Sequence, residues 1–386
     1  MPTVSVIIVS YNVKYYVEQC INSVLRSLPE AQVIVVDNSS GDGSVEYLRK
    51  RFPDVRIISN KENLGFGKAN NMALTFAEGK YVLFLNPDTV VAEKTIPDCM
   101  EYMDSHPGTG AVGVRMMYAD GCFALESRRS LPTPSVAFFH MIGLGKVFPR
   151  SRIFARYHLT YEDPARECPI DVVSGAFMFV RKSALDKTGG FDEDFFMYGE
   201  DIDLSFRIQK AGYSNVYLPL PIIHYKGEST VKTSYNYVKV FYDAMLIFFN
   251  KHFRSSARLI APLVRLMVGI KKIGTFIGQN LSRNRRTVQG HRNVCLFLGS
   301  EDSFRKAAAL TENSSVLSTP VFIACREEVP SNLNTDEVET VVFDTDSFSY
   351  DTIMEWIYGM YSSGRRFTVG FYSSESNRLI TDIEVL

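Results

Sequence analysis

The sequence predicts an α/β protein: a large, mainly parallel sheet over residues 1–234, amphipathic helices over 235–290, and a small second α/β unit over 291–386. Three observations carry this expectation. Short β-rich runs alternate with helical patterns through the first half, the order that a parallel sheet with crossover helices requires. The chain has 386 residues, and at roughly 150 per domain that is room for two or three folded units. Hydrophobic residues make up 46% and charged residues 22%, near globular averages, which excludes wholesale disorder and collagen-like or coiled-coil architectures.

The first strand is expected over 4–11. Its Val4-Ser5-Val6-Ile7-Ile8-Val9 has no basic n-region or small-residue cleavage site and so reads as a strand and not a signal peptide. Helical patterns at 14–28, 44–52 and 66–78 follow strands at 4–11, 32–37 and 55–59, and a strand at 81–86 precedes a longer excursion. Polar residues gather where three of these strands end, at Ser10-Tyr11-Asn12, Asp37-Asn38-Ser39 and Asn86-Pro87-Asp88. Ligands of open parallel sheets sit beyond such carboxyl ends. Further strands are expected at 111–118, 171–180 and 214–218, with a helix from Asp201 to Ala211 that stops at Gly212 and follows a turn at Gly189-Gly190.

The formal charge of −1 conceals an uneven distribution: −2 over 1–250, +9 over 251–290 and −8 over 291–386. Arg258, Arg265 and Lys272 recur every seven residues and form a basic stripe opposite Leu263, Met267, Ile270 and Ile277. The apolar tract 259–278 is broken by Arg265, Lys271 and Lys272, short of the roughly 18 uninterrupted apolar residues of a spanning helix. Six cysteines (Cys20, Cys99, Cys122, Cys168, Cys295 and Cys325) stand far apart without a C-x-x-C pair, which argues against zinc knuckles and a disulfide framework and fits a reducing cytoplasm. In the last unit, strands are expected at Val294–Leu298, Val321–Ala324, Val338–Phe343 and Phe367–Phe371, with helices at 303–312 and 350–362.

Five stretches arrive in one order: VSVIIVSYN at 4–12, VIVVDNSSGDGS at 33–44, NLGFGKANN at 63–71, FLNPDTV at 84–90 and GGFDEDFFMYGEDIDLSFR at 189–207. Together they resemble glycosyltransferase family 2. That resemblance implies a GT-A nucleotide-sugar-binding fold, a UDP- or dTDP-sugar donor, a divalent metal (Mg²⁺ or Mn²⁺) and transfer with inversion at the anomeric carbon. It also implies donor contacts from Ser10, Tyr11 and Asn12 at the end of the first strand.

Asp37 ends an apolar strand, where a carboxylate can accept a hydrogen bond from a pyrimidine ring N–H, the role that the resemblance implies; its turn-rich surroundings also suit a cap, the role expected of Asp42. Asn86-Pro87-Asp88 stands where the family usually has an aspartate-x-aspartate motif, with asparagine replacing the first aspartate. Asp88 is therefore the main candidate metal ligand, and Asn86 is left for ribose or water; one carboxylate with diphosphate oxygens and water suits Mg²⁺ or Mn²⁺. His224 matches a metal-binding histidine of some relatives, and Lys226 is a candidate phosphate contact. The resemblance makes Asp201 the general base, with Glu200 positioning the acceptor or supporting Asp201; two acids at a helix N-terminus also fit a purely dipolar role. Asp203 and Arg207, four apart, are expected to form a structural ion pair. Asn63, Lys68 and Asn70, with Gly65 and Gly67, form a Gly-containing turn suited to the donor, although the spacing is not that of a P-loop. Arg128 and Arg129 are candidates for diphosphate or acceptor contact.

The basic segment reads as an interfacial helix on anionic lipid, which places the protein at the cytoplasmic side, peripherally bound to the inner face of the plasma membrane. A packed interdomain helix pair is the alternative. Nucleic acid is not expected as a partner, since no recognised module accompanies the charge. The last unit weakly resembles a small Rossmann-like domain, without G-x-G-x-x-G, and is expected to be a scaffold. The expected activity is transfer of one sugar, such as the deoxyhexose rhamnose, to a glycan or a polyprenyl-diphosphate-linked acceptor in cell-surface polysaccharide synthesis, with self-association left open. A processive synthase is not expected, because the sole tryptophan, Trp356, lies outside any Q-x-x-R-W motif. The competing readings are an inactive sugar-nucleotide-binding or scaffold protein, motivated by Asn86, and a sugar nucleotidyltransferase, for which Ser10-Tyr11-Asn12 is the wrong first loop.

Overall fold

A computed structural model describes residues 2–225, 235–253, 295–312, 314, 317, 321–324, 338–365 and 367–386. Its first half runs β1 (Val4–Ser10), α1 (Lys14–Ser27), β2 (Gln32–Asp37), α2 (Ser44–Arg51), β3 (Arg56–Ser59), α3 (Phe66–Leu74), β4 (Tyr81–Leu85), β5 (Thr89–Val91), α4 (Thr95–Ser105) and β6 (Thr109–Met117). Then come α5 (Pro134–Met141), α6 (Leu144–Val147), β7 (Cys168–Ile170), β8 (Phe177–Arg181), α7 (Lys182–Thr188), α8 (Glu200–Lys210), β9 (Ser214–His224) and α9 (Tyr235–His252). The strands form one sheet in the order β3-β2-β1-β4-β8-β6-β9-β5, with β7 paired to β9. Every residue of β1 is buried, as expected of a parallel strand covered on both faces. Ile8, Val35 and Leu85 pack on one side of the sheet, and Ile7, Ile34 and Phe84 on the other.

Two expected strands differ from those observed. Of the run 171–180 only the end is strand, as β8, while β7 stops at Ile170, because residues 171–176 turn aside to bond elsewhere: Val173 N–H donates to Ser205 Oγ at 3.1 Å and Gly175 N–H to Asp201 Oδ2 at 3.1 Å. β9 runs six residues beyond 218 despite Pro219 and Pro221. A register shift between Val114 and Arg115 of β6, opposite these prolines, absorbs their missing donors.

The smaller sheet joins β10 (Cys295–Gly299), β11 (Val321–Ala324), β12 (Thr340–Asp344), β13 (Thr368–Ser373) and β14 (Arg378–Ile380) in the order β11-β10-β12-β13-β14. Its helices are α10 (Glu301–Thr311) and α11 (Tyr350–Ser362). Tyr16 and Tyr225 of the first unit share an apolar cluster with Phe343, Tyr350 and Phe371 of the second, and the Tyr16 hydroxyl donates to Thr381 O at 2.9 Å.

Helix α9 lies against α8, with Phe248 in one cluster with Phe195 and Ile202. Asp203 joins the two helices, accepting from Arg207 Nε at 2.6 Å and meeting His252 Nε2 at 2.6 Å. The start of the 235–290 segment is thus packed against the first unit; Arg258, Arg265 and Lys272 lie outside the described residues. No helix among the described residues is long and apolar enough to cross a membrane. Cys20, Cys99 and Cys168 are free thiols, and burial pushes Cys20 up to about 12.

Candidate active site

A cavity of about 440 Å³ opens where β1, β2 and β4 end, and Tyr11, Asn38, Asn86, Asp88, Asp201 and His224 are among its lining residues. Of the eleven buried side-chain polar atoms without a hydrogen-bond partner among the described residues, five belong to residues of this region: Ser10 Oγ, Asp37 Oδ2, Arg129 Nε, Glu200 Oε2 and His224 Nδ1. Folded chains satisfy nearly all such atoms elsewhere.

Ser10 and Asp37 stand side by side in register at the ends of β1 and β2. Asp37 Oδ1 accepts the Ser40 N–H at 2.9 Å and leaves Oδ2 unpartnered. Neither residue lines the cavity; Tyr11, 39% exposed, and Asn38 do. Asn12 is committed to the neighbouring loop, accepting the Gly41 N–H at 2.8 Å from a left-handed backbone with φ of 54°. Asp42 precedes the Gly43 cap of α2 and is not itself the cap, but it accepts the first N–H of that helix, Ser44, at 3.1 Å and, across the chain, the Lys14 N–H at 3.1 Å.

Asp88 follows β4, and the pairing of Thr89 with His224 between β5 and β9 brings its side chain to the histidine. Asp88 Oδ1 lies 3.3 Å from His224 Nε2, and Asn86 Nδ2 lies 3.4 Å from the same nitrogen. An oxygen and a nitrogen donor converging at a polar cavity wall fit a Mg²⁺ or Mn²⁺ ion whose other ligands are diphosphate oxygens and water. Among the described residues no third His, Cys, Asp or Glu joins them.

On the other side, α8 begins with the acid pair. Gly199 holds φ at 86°, and a Cβ there would meet the Phe195 ring at 3.1 Å, so the turn into α8 is suited to glycine. Tyr198, with φ of 67°, carries strain beside it. The Asp201 carboxylate is held from three directions: an ion pair with Arg129, the Gly175 N–H at 3.1 Å and the Ile202 N–H at 2.8 Å. Burial, reinforced by the Asp201 charge, pushes the Glu200 carboxyl up to about 8.

The remaining candidates divide. Asn63 lines the cavity and its Oδ1 accepts the Gly65 N–H at 2.9 Å. Lys68 is exposed away from the wall, and Asn70 is buried, donating to Phe66 O at 2.9 Å. Arg129 reaches the cavity but Arg128 does not: it is buried, donates to Asp163 O at 3.0 Å and Glu162 O at 3.1 Å, and lies against the Phe123 and Tyr217 rings. Arg128 is therefore a structural residue, not an acceptor contact. Lys226 lies outside the described residues.

The sequence reading missed one wall, formed by Glu126, His140, Tyr157 and His158. The His140 ring lies 4.2 Å from Tyr157 and 5.1 Å from His158, and burial lowers His158 to about 4. Two of the chain's six histidines falling in one excursion is the only sequence signal that pointed there.

The model for glycosyl transferase family 2 matches residues 5–189. An N-acetylglucosaminyl-diphospho-decaprenol L-rhamnosyltransferase of Mycobacterium tuberculosis is 30% identical over 296 residues, covering 73% of this chain and 95% of the relative. The rhamnosyltransferase WbbL of Escherichia coli is 28% identical over 240 residues, covering 58% of this chain and 83% of the relative. A solved mannosyltransferase of Pyrobaculum calidifontis, in complex with GDP-Man and Mn²⁺, covers 81% of each chain at 18% identity with a TM-score of 0.45.

Proposed function

This chain belongs to glycosyltransferase family 2 and is a glycosyltransferase of cell-surface polysaccharide synthesis, and we propose that it moves one deoxyhexose, such as rhamnose, from a UDP- or dTDP-sugar to a polyprenyl-diphosphate-linked acceptor with inversion. One observation carries this reading: the Asp88–His224 pair and the Arg129-bound Asp201 line the same cavity.

The unpartnered Asp37 Oδ2 accepts the ring N–H of a pyrimidine, which selects uracil or thymine. Asp88 and His224, beside Asn86, would hold a divalent ion, which would supply positive charge to offset the negative charge growing on the departing diphosphate. Arg129 and the Gly175 and Ile202 N–H groups fix Asp201 so that its carboxylate takes the acceptor hydroxyl proton. The hydroxyl becomes acidic as its oxygen bonds to the anomeric carbon, so the proton passes to the carboxylate as that bond forms. Glu200, protonated at neutral pH, offers an O–H to the acceptor instead of a second negative charge. The acceptor's glycan occupies the His140, Tyr157 and His158 wall.

The lipid-linked acceptor implies peripheral attachment at the inner face of the membrane, to which the basic 254–290 stretch contributes. The test is a nucleotide-sugar panel read by thermal shift with and without Mn²⁺ or Mg²⁺, followed by turnover of whichever donor stabilises the protein. Metal-dependent stabilisation by a UDP- or dTDP-sugar and its transfer are expected. Tight donor binding without transfer or hydrolysis across a broad acceptor panel would assign the inactive binding role instead.

A further inference from the structure

The excursion that carries the histidine wall has a second, outward surface. Ile142, Val147, Phe148 and Ile153 are 45%, 67%, 49% and 64% exposed, a concentration of bare apolar side chains unlike the isolated ones that any surface carries. Lys146, Arg150 and Arg152 stand between them in the chain and Arg156 just after, all exposed. The chain has no acidic residue from 127 to 161. Arg152 reaches Glu162 at 3.7 Å and the Tyr161 ring at 5.4 Å, whereas Lys146, Arg150 and Arg156 make no ion pair among the described residues.

An aromatic kernel ties the excursion together: Phe154 packs on Phe139 at 5.0 Å and on the half-exposed Phe148 at 5.6 Å. In the same segment, His140, Tyr157 and His158 line the cavity. Apolar tips, cations and cavity wall thus belong to one short piece of chain.

We propose that residues 134–156 form an interfacial anchor, which seats on an anionic lipid bilayer through Ile142, Val147, Phe148 and Ile153, with Lys146, Arg150 and Arg156 at the headgroups. Charge selects this occupant. A second copy would bring like charges together, and a nucleic acid would leave the apolar tips without a partner, whereas anionic headgroups above acyl chains satisfy both. This piece of chain is separate in sequence from the basic 251–290 stretch. Its purpose rests on the lipid-linked acceptor of the proposed function, since it sets the cavity wall at headgroup level, but its test does not.

The full chain, without donor or acceptor, is sedimented with vesicles of phosphatidylglycerol and phosphatidylcholine or of phosphatidylcholine alone. Preference for the anionic vesicles is expected, and Val147→Asp with Ile153→Asp should weaken it roughly tenfold or more, with melting temperature and turnover of a soluble acceptor unchanged. In a Trp356→Phe background, which removes the only tryptophan, Phe148→Trp should shift to the blue on vesicles and be quenched by brominated acyl chains. Equal sedimentation of parent and double variant, or an unquenched indole, overturns the anchor. A concentration-dependent dimer abolished by Ile153→Asp reassigns the surface to a second copy. An inactive enzyme that still binds vesicles through these residues would fault the proposed activity alone.

Discussion

Glu93 Oε1 accepts the Tyr350 backbone N–H at 2.9 Å, and Glu93 Oε2 accepts the Asp351 N–H at 2.8 Å. A carboxylate between β5 and α4 of the first unit therefore satisfies two of the free N–H groups that begin α11 in the second, and it meets the positive end of that helix. Glu93→Ala should lower stability by about 1 kcal/mol, the usual worth of a helix cap, read as a lower urea midpoint. An unchanged midpoint would show that the apolar cluster around Tyr16, Tyr225 and Phe371 holds the units together without it.

Asp201→Asn keeps the shape of the side chain and removes its capacity to take a proton. Transfer should fall by at least about a hundredfold, while stabilisation by donor and metal stays near that of the parent. Near-normal turnover would remove Asp201 from the role of base.

Asp88→Ala acts on a different quantity. It leaves His224 without the oxygen 3.3 Å away, so the thermal shift given by nucleotide should lose its dependence on Mn²⁺ or Mg²⁺. His224→Ala should reduce that dependence in the same direction. Unchanged metal dependence in both would mean that other residues hold the ion.

The Glu200 carboxyl bears on stability as well as on chemistry. Burial raises it from 4.5 to about 8 in the folded chain. Over that interval the unfolded chain has lost the proton that the folded chain keeps, so stability declines as pH rises from about 4.5 and levels off above about 8. Glu200→Gln should flatten that part of the profile, checked by denaturation midpoints at pH 5, 6.5 and 8. A parallel decline in the variant would trace it to other groups.

What was legible beforehand is local in origin. The periodicity of 4–11, 32–37 and 81–86 foretold β1, β2 and β4 to within one residue, and 350–362 foretold α11, because alternation and amphipathic spacing are written into neighbouring residues. Polar residues at the strand ends marked where the cavity opens for the same reason, and the Asp203–Arg207 pair followed from helical spacing.

What depended on partners remote in sequence was not legible. The apolar pair Val172-Val173 reads as strand, yet the backbone there turns away to reach Ser205 and Asp201, contacts that exist only once α8 is in place. Arg128 and Arg129 are chemically identical neighbours. Only the folded chain turns one toward the Glu162 and Asp163 carbonyls and the other toward Asp201. The sequence by itself determined the α/β alternation, the acids at the strand and helix ends and the absence of a C-x-x-C pair. Tertiary structure alone decided which of those side chains meet, because a hydrogen bond or ion pair is set by distances of a few ångströms between residues that sequence spacing does not relate.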